Sequence, residues 1–491
     1  MNILLVNPSV GFYDRTMSTP LGLLSIGSYL KYHGHEVRLY DRCVEKIKLP
    51  RVLEQCRPDI VGISVMSSRG LKDAINVSKQ LKNRGLTVVW GGQLPTMQTE
   101  LVIDNDYVDL VSFGEGEETW LELADRLASG RDILDVPGTA YKKDGSVVRN
   151  PARPFSDLTA FPDTDWSLVD VGKYMQRYLG YQRMMYLYSS KGCPGRCAFC
   201  PNVTYHKSIH RNRSDAQIIS EIKYLIDNHG LDAVYFSDEV WRVSRSEVIR
   251  FCEALKDAKL DFHWGVDLRV GLFDEKIYSL MYDAGCRWIF FGIESGSREM
   301  QARIHKNIKY DLIKPTVELL NGMGFTTMAS FIVGFPDETV EQLRDTAAMI
   351  NDLPLGLTPI FHFTPLPGTE FYDQLVREGR YSLPRRLEDL FSVVATESLG
   401  TNYSRVPDTD LKVIRCWFHW KSFTNKTAIS GGKPFEFARQ TIASSLRTIS
   451  MKGALSFLVN GFAAAYEFLY VFYYSHMFPK IREKYALKKV D

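Results

Sequence analysis

Short apolar runs alternate with helix-length stretches over the first 140 residues. ILLVN (3–7), HEVRLYD (35–41), DIVGISV (59–65), TVVWGG (87–92) and VDLVSFGEGE (108–117) are apolar on both faces, which predicts about five buried parallel strands joined by crossover helices. Residues 1–140 therefore read as a doubly wound, Rossmann-like α/β domain. Ligands in such sheets bind beyond the carboxyl ends of the strands. Asn7, Ser64, Ser67, Gly91, Gly92, Gly114 and Gly116 fall there, although each glycine serves equally well as a tight turn.

Residues 141–184 are rich in Pro, Asp, Gly and Ser with little periodicity and read as a linker. A second series of apolar runs follows: MMYLYSS (184–190), AVYFSDE (233–239), FHWGVDL (262–268), RWIFFGIES (287–295), TMASFIVGF (327–335) and LTPIFHFTPL (357–366). Helical stretches of about a dozen residues separate them, predicting an open or closed parallel β/α barrel over 185–380 with its chemistry on the loops after the strands. Beyond residue 380 the pattern turns helical and aromatic, and 381–491 reads as a helical C-terminal region facing substrate or membrane. Within it, ALSFLVNGFAAAYEFLYVFYY (454–474) is long enough to span a bilayer, but Asn460, Gly461 and Glu467 interrupt it. It reads as a buried or interfacial helical hairpin, or as a membrane-surface helix flanked by Lys452, Lys480, Arg482 and Lys484.

Composition changes this picture little. With 491 residues, a net charge of +2 and 24% charged residues, the chain offers no strong field for nucleic acid. Three of its eight cysteines crowd into residues 193–200 and the other five are scattered. That distribution argues against a disulfide framework and for one thiolate site in a reducing compartment. The N-terminus MNILLVNPSV lacks a basic n-region, so the expected location is cytoplasmic, with peripheral membrane contact through 454–474 as the added alternative.

In SSKGCPGRCAFCPN (189–202), Cys193, Cys197 and Cys200 have the spacing C-x3-C-x2-C on a loop directly after a strand. Three such thiolates can hold three irons of a cubane cluster and leave the fourth open to a substrate. Zinc is the competing reading and requires a fourth ligand, for which His206 or His210 is available.

The cysteine motif, with Phe199 before its last cysteine, resembles the radical S-adenosylmethionine (SAM) superfamily. Ser237-Asp238-Glu239 resembles the family's segment for the methionine amino group of SAM, Glu294 in GIESG (292–296) its ribose segment, and Arg269 the arginine that faces the SAM carboxylate; GFPDET (334–339) and PLPGTEFY (365–372) resemble later barrel segments. The resemblance implies that the barrel is a partial TIM-type one. The N-terminal segments PLGLLSIGSYLKYHGHEVRLYD (20–41), WGGQLPT and GEGEETW are similar to the cobalamin-binding domain of a large branch of the superfamily, including magnesium-protoporphyrin ester cyclases. That resemblance implies cobalamin beside the strand ends, with the Glu115 loop touching the corrin through its backbone. It also implies a departure: Leu94 stands where many relatives carry the histidine of G-G-x-H-x-T, and leucine neither ligates nor hydrogen-bonds.

The resemblance thus implies three cofactors: a [4Fe–4S] cluster, SAM and cobalamin. It implies methylation of an unactivated carbon in an apolar or amphipathic metabolite, with an electron donor such as flavodoxin or ferredoxin and no nucleic-acid partner. Cobalamin-dependent cyclisation or rearrangement stays open, and a non-enzymatic cobalamin carrier is a remote alternative. A tRNA methylthiotransferase needs extra cluster cysteines and a basic RNA-binding module that the chain does not show.

Overall fold

The computed structural model describes residues 1–11, 19–66, 68–392, 400–424, 473–474 and 477–487, with the side chains of 392 and 420–424 left aside. The segment 454–474 and Ser67 lie largely or wholly outside these residues.

The first sheet has seven strands in the order β2-β1-β3-β4-β5-β6-β7. Its five parallel members are β1 (Asn2–Asn7), β2 (Glu36–Asp41), β3 (Ile60–Ser64), β4 (Thr87–Gly91) and β5 (Leu110–Ser112). Each matches an apolar run, and helices such as Leu21–Tyr32 and Glu117–Ala128 cover their faces. Two further strands, β6 (Thr139–Lys143) and β7 (Ser146–Arg149), form an antiparallel hairpin that extends the sheet into the segment read as linker. Asp144 and Gly145 both adopt positive φ in its turn. A two-residue Asp-Gly turn is the preferred geometry for joining twisted antiparallel strands, and it was the local signal for this hairpin.

The remainder of that segment joins the two halves. Trp166, Leu168, Val171 and Tyr174 are buried in a core cluster that also takes in residues of both sheets. The Trp166 indole N–H donates to Glu221 at 3.1 Å, and the Tyr174 hydroxyl donates to Asp41 at 2.8 Å. Trp166→Ala should cost about 3–5 kcal/mol, because it opens a large cavity in this shared core. A lowered urea midpoint checks this, and an unchanged midpoint would show that the joint contributes little.

The second sheet runs β16-β15-β14-β13-β12-β9-β8. Six strands are parallel: β9 (Tyr181–Leu187), β12 (Ala233–Phe236), β13 (His263–Leu268), β14 (Cys286–Glu294), β15 (Thr326–Val333) and β16 (Ile360–His362). The edge strand β8 (Gln176–Tyr178) pairs antiparallel with β9. The sheet curls without closing, with β8 and β16 at its edges, so the barrel is partial. Alternation along the strands sends Met185, Leu187, Val234, Phe236, Ile289 and Phe291 to the helix-covered layer. Met184, Tyr235, Trp288 and Met328 form a separate aromatic-rich cluster with Tyr178, Tyr186 and Phe290. A two-stranded ribbon, β10 (Ser190–Lys191) with β11 (Arg211–Asn212), brackets the cysteine loop.

His419, on the helix Asp408–Thr424, packs at β16 with its ring Nε2 3.2 Å from the Ile360 amide. Burial pushes it down to about 4, so it is a neutral core histidine. No helix among the described residues is long and apolar enough to cross a membrane.

Candidate functional site

The β10–β11 ribbon holds both ends of the loop that carries Cys193, Cys197 and Cys200. Gly192 opens the loop at φ +85°, and a Cβ there would overlap the Ile209 carbonyl oxygen. Only glycine fits such a position. The loop is then fixed from within: Asn202 Nδ2 donates to the Cys193 carbonyl at 2.8 Å, and the Gly195 amide lies 3.4 Å from Cys193 Sγ. Ala198 ties the loop outward, its amide donating to Ile304 and its carbonyl accepting from Phe371.

Cys197 is buried and the other two cysteines are half-buried. Burial raises the Cys197 thiol, opposed by the nearby Lys306 and Arg269 cations, and pushes Cys200 up to about 11. Among the causes of the Cys200 shift are the charges of Cys197 and Cys193, so the three sulfurs sit within electrostatic reach of one another. Thiols poised in this way lose their protons when iron supplies the positive charge. Among the described residues no three His, Cys, Asp or Glu side chains form a ready mononuclear site. The three sulfurs alone suit a cluster that arrives with its own sulfide and keeps one iron open.

Glu294, at the end of β14, adopts φ +71°, which is rare for a residue with a side chain. Its carboxylate is buried, 2.8 Å from Lys306 Nζ and 3.3 Å from Ser330 Oγ. Burial alone would lower the Lys306 ammonium, but Glu294 holds it above the ordinary lysine value. Arg269 donates to the Lys306 carbonyl and lies against Gly195. The structure therefore brings Arg269, Glu294 and the cysteine loop together around Lys306, a residue that sequence reading missed. Lys306 lies in RIHKNIK after the helix Arg298–Arg303, away from any strand end, and carries no motif.

The Ser237-Asp238-Glu239 turn follows β12. Asp238 is buried and accepts from the backbone and hydroxyl groups of Ser189 and Ser190, with Oγ distances of 2.6 and 2.8 Å. Burial raises it to about 6 against those four donors. Glu239 Oε2 accepts from the Gly192 amide at 2.9 Å, and its Oε1 lies 3.3 Å from His206 Nε2. Both carboxylates thus brace the cysteine loop, while Ser237 is exposed.

Inside the curled sheet the Tyr235 hydroxyl donates to Asp267 at 2.5 Å. Burial pushes Asp267 up to about 7. An unfolded aspartate titrates near pH ~4, so between about pH 4 and about pH 7 the unfolded chain gives up a proton that the folded chain retains. The contribution of Asp267 to stability falls as pH rises across that window and then levels. Asp267→Asn should flatten the decline of the thermal midpoint over that range, and an unaltered slope would rule out Asp267 as its source.

At the carboxyl edge of the first sheet lies a cavity of about 210 Å³. Ser64, Gly91, Gly92, Gly114, Glu115 and Gly116 line it, as their strand-end positions predict. Gly92, at φ +100°, brings its backbone to within contact of Val65. Asn7 instead donates to Asp41 at 3.0 Å, and Leu94 packs against the core on one face of the sheet; neither is among the lining residues. Sequence reading missed the opposite wall, which comes from the barrel half: Lys191, Tyr205, His206 and Glu239.

This wall is fastened across the interface. Lys191 Nζ lies 2.8 Å from Glu117, which also accepts from Ser25 at 2.6 Å, and Arg211 pairs with Glu115. Burial alone would raise Glu117, but Lys191 and Ser25 hold it below the usual carboxylate range. The Tyr205 hydroxyl donates to the Gly114 carbonyl at 3.3 Å.

Known proteins resemble the chain over both of its halves. The model of the radical SAM superfamily matches residues 187–350, and that of the B12 binding domain matches residues 15–124. An uncharacterized methyltransferase of Pyrococcus horikoshii is 31% identical over 387 residues, covering 77% of this chain and 83% of the relative. The anaerobic magnesium-protoporphyrin IX monomethyl ester cyclase of Rubrivivax gelatinosus is 28% identical, covering 72% and 66%. The cobalamin-dependent SAM radical enzyme OxsB, solved with aqua-cobalamin, superposes with a TM-score of 0.70 at 18% identity over 96% of this chain and 72% of that one, a likeness of fold. The chain belongs to the radical SAM superfamily, in the branch whose members carry a B12 binding domain ahead of the radical SAM region, and it is an enzyme of that family.

Proposed function

We propose that this enzyme methylates an unactivated carbon of an apolar or amphipathic metabolite, using a [4Fe–4S] cluster, SAM and cobalamin. The observation that carries the reading is the join between the two sites. Lys191 stands two residues before Cys193 and reaches Glu117 in the wall of the strand-end cavity, so one short segment sets the distance between the cysteine loop and that cavity. When bound, the cluster with SAM supplies a 5′-deoxyadenosyl radical, and the corrin supplies a transferable methyl group.

The chain's own residues hold and orient these groups. Cys193, Cys197 and Cys200 bind three irons. Arg269 takes the carboxylate of SAM and Glu294 the ribose hydroxyls, with Lys306 fixing the position of Glu294. The Ser237–Glu239 turn frames the methionine end, and its two carboxylates brace the cysteine loop. Ser64, Gly91, Gly92, Gly114, Glu115 and Gly116 offer backbone and small side chains to the corrin. The aromatic cluster around Tyr186, Tyr235 and Trp288 excludes water and favours an apolar substrate. A reduced flavodoxin or ferredoxin supplies the electron.

Anaerobic reconstitution with iron, sulfide and hydroxocobalamin, followed by methyl-labelled SAM and an organic-solvent metabolite extract, tests this. The expected result is label in an extractable product, with S-adenosylhomocysteine and 5′-deoxyadenosine formed together. Formation of 5′-deoxyadenosine without S-adenosylhomocysteine would overturn methylation in favour of cyclisation or rearrangement. Label confined to a water-soluble product would overturn the apolar substrate.

A further inference from the structure

Alternation along the strands of the second sheet sends one set of residues under the helices and the other into the curl. Met185, Leu187, Val266, Ile289 and Phe291 point outward and are fully buried, whereas their inward neighbours Tyr186, Asp267 and Phe290 are half-buried. The interior of the curl is therefore open at this level. The inward residues form one layer: Tyr186 stands opposite Tyr235 in the register of β9 and β12, and Asp267 opposite Phe290 in that of β13 and β14. Arg269 follows two residues after Asp267, about 7 Å along the strand direction.

Asp267 is the one charged group in a layer of Tyr186, Tyr235, Phe290 and Met328. Its Oδ1 accepts from the Tyr235 hydroxyl at 2.5 Å, and its Oδ2 has no hydrogen-bond partner among the described residues. Lys306, close enough to oppose the upward shift of Asp267, is held by Glu294, and Arg269 by the Lys306 carbonyl. A carboxylate removed from water is costly unless a partner of opposite charge meets it. One tyrosine does not neutralise it, and neither would a substrate hydroxyl. The rings of Tyr186 and Tyr235 lie 5.4 Å apart at 61°, and Tyr235 stacks on Trp288 with centroids 6.2 Å apart. Aromatic faces around a single carboxylate suit an organic cation, because both attract positive charge.

We propose that Asp267 binds a protonated amine of the substrate, which is therefore an amphipathic amine. The proposal rests on the reading that the curled sheet receives the substrate, and not on the reaction performed there. A molecule anchored at Asp267 extends towards Arg269 and Glu294, so the carbon presented to them is remote from the nitrogen.

Octylamine and 1-octanol, which share a chain and differ in head-group charge, are titrated by calorimetry at pH 8 into the reconstituted enzyme with SAM present. At that pH an alkylamine is protonated, as a lysine side chain is, and Asp267 is ionised. Octylamine should bind about tenfold more tightly than octanol, as a charge-assisted hydrogen bond replaces a neutral one. Asp267→Asn should bring the two affinities together by weakening octylamine alone, with cluster absorbance and SAM affinity as in wild type.

Equal affinities in the wild-type enzyme leave the substrate in the curled sheet and overturn the amine. Binding of neither probe overturns that location and the proposal with it. A preference for octylamine that survives in Asp267→Asn assigns another carboxylate and likewise overturns the proposal. The comparison of the two probes needs no variant, so it stands even if Asp267→Asn fails to fold. No turnover is read, so a result against methylation leaves the amine assignment in place.

Discussion

Cys200→Ala should reduce 5′-deoxyadenosine formation to background and abolish the broad visible absorbance of the reconstituted cluster. The three sulfurs lie on one loop, whose ends are held by the β10–β11 ribbon and whose middle is tied to Ile304 and Phe371. The other cysteines are placed elsewhere: Cys43, Cys252, Cys286 and Cys416 are buried in the cores, and Cys56 ends the helix Leu49–Cys56 of the first half. The loss should be confined to the cluster. Cys200 is half-buried, and although its sulfur accepts from the Asn202 backbone amide, the Asn202 side chain and the Gly195 amide bond to Cys193 and do not need it. Corrin binding and the thermal midpoint of the metal-free protein should stay close to wild type. Retention of 5′-deoxyadenosine formation would sink the assignment of the cluster to this loop.

Lys306→Met should produce the second largest effect, on folding and on SAM together. It leaves Glu294 buried without its cation, and breaking a buried pair by removing one partner typically costs about 3–5 kcal/mol. The denaturation midpoint should fall accordingly at neutral pH and recover partly on acidification, as the orphaned carboxylate takes up a proton. The same change removes a cation that opposes the upward shift of the Cys197 thiol. Cluster reconstitution should therefore need a higher pH than in wild type. SAM affinity, measured by equilibrium binding, should drop because the Glu294 carboxylate is no longer held in place. Lys306→Arg should restore part of the stability but less of the SAM affinity, since a planar guanidinium does not reproduce the geometry of an ammonium at 2.8 Å. A variant with unchanged stability and unchanged SAM binding would remove Lys306 from the site.

Much of the fold was legible because apolar runs and turn residues follow local rules. The parallel strands of both sheets match the runs seen in the sequence, since a strand buried on both faces has to be continuously apolar. The β6–β7 hairpin was obscured for the opposite reason: as an edge element it is largely exposed and therefore polar, and only Asp144-Gly145 marked it. The same distinction holds at the site. Cys193, Cys197 and Cys200 stand out by their spacing, and Glu294 and Arg269 only by their resemblance to segments of the radical SAM superfamily. Lys306 and His206 do neither, because each acquires its surroundings from chain far away in sequence. Lys306 meets Glu294 and Arg269, while His206 meets Glu239 and the cavity wall of the other half. Leu94 shows the converse hazard. A motif position places it opposite the histidine of relatives, and in the structure it is partly buried and packs against the core on one face of the sheet.

One core cluster contains residues of the first sheet, the joining segment and the barrel. Heating should consequently give one cooperative transition rather than two, and a protease that cuts between the halves should find no stable fragment of either. For an enzyme that handles radicals this has a practical meaning. The separation between its two cofactor sites is part of the native state itself, and a chain that loses that spacing has already begun to unfold.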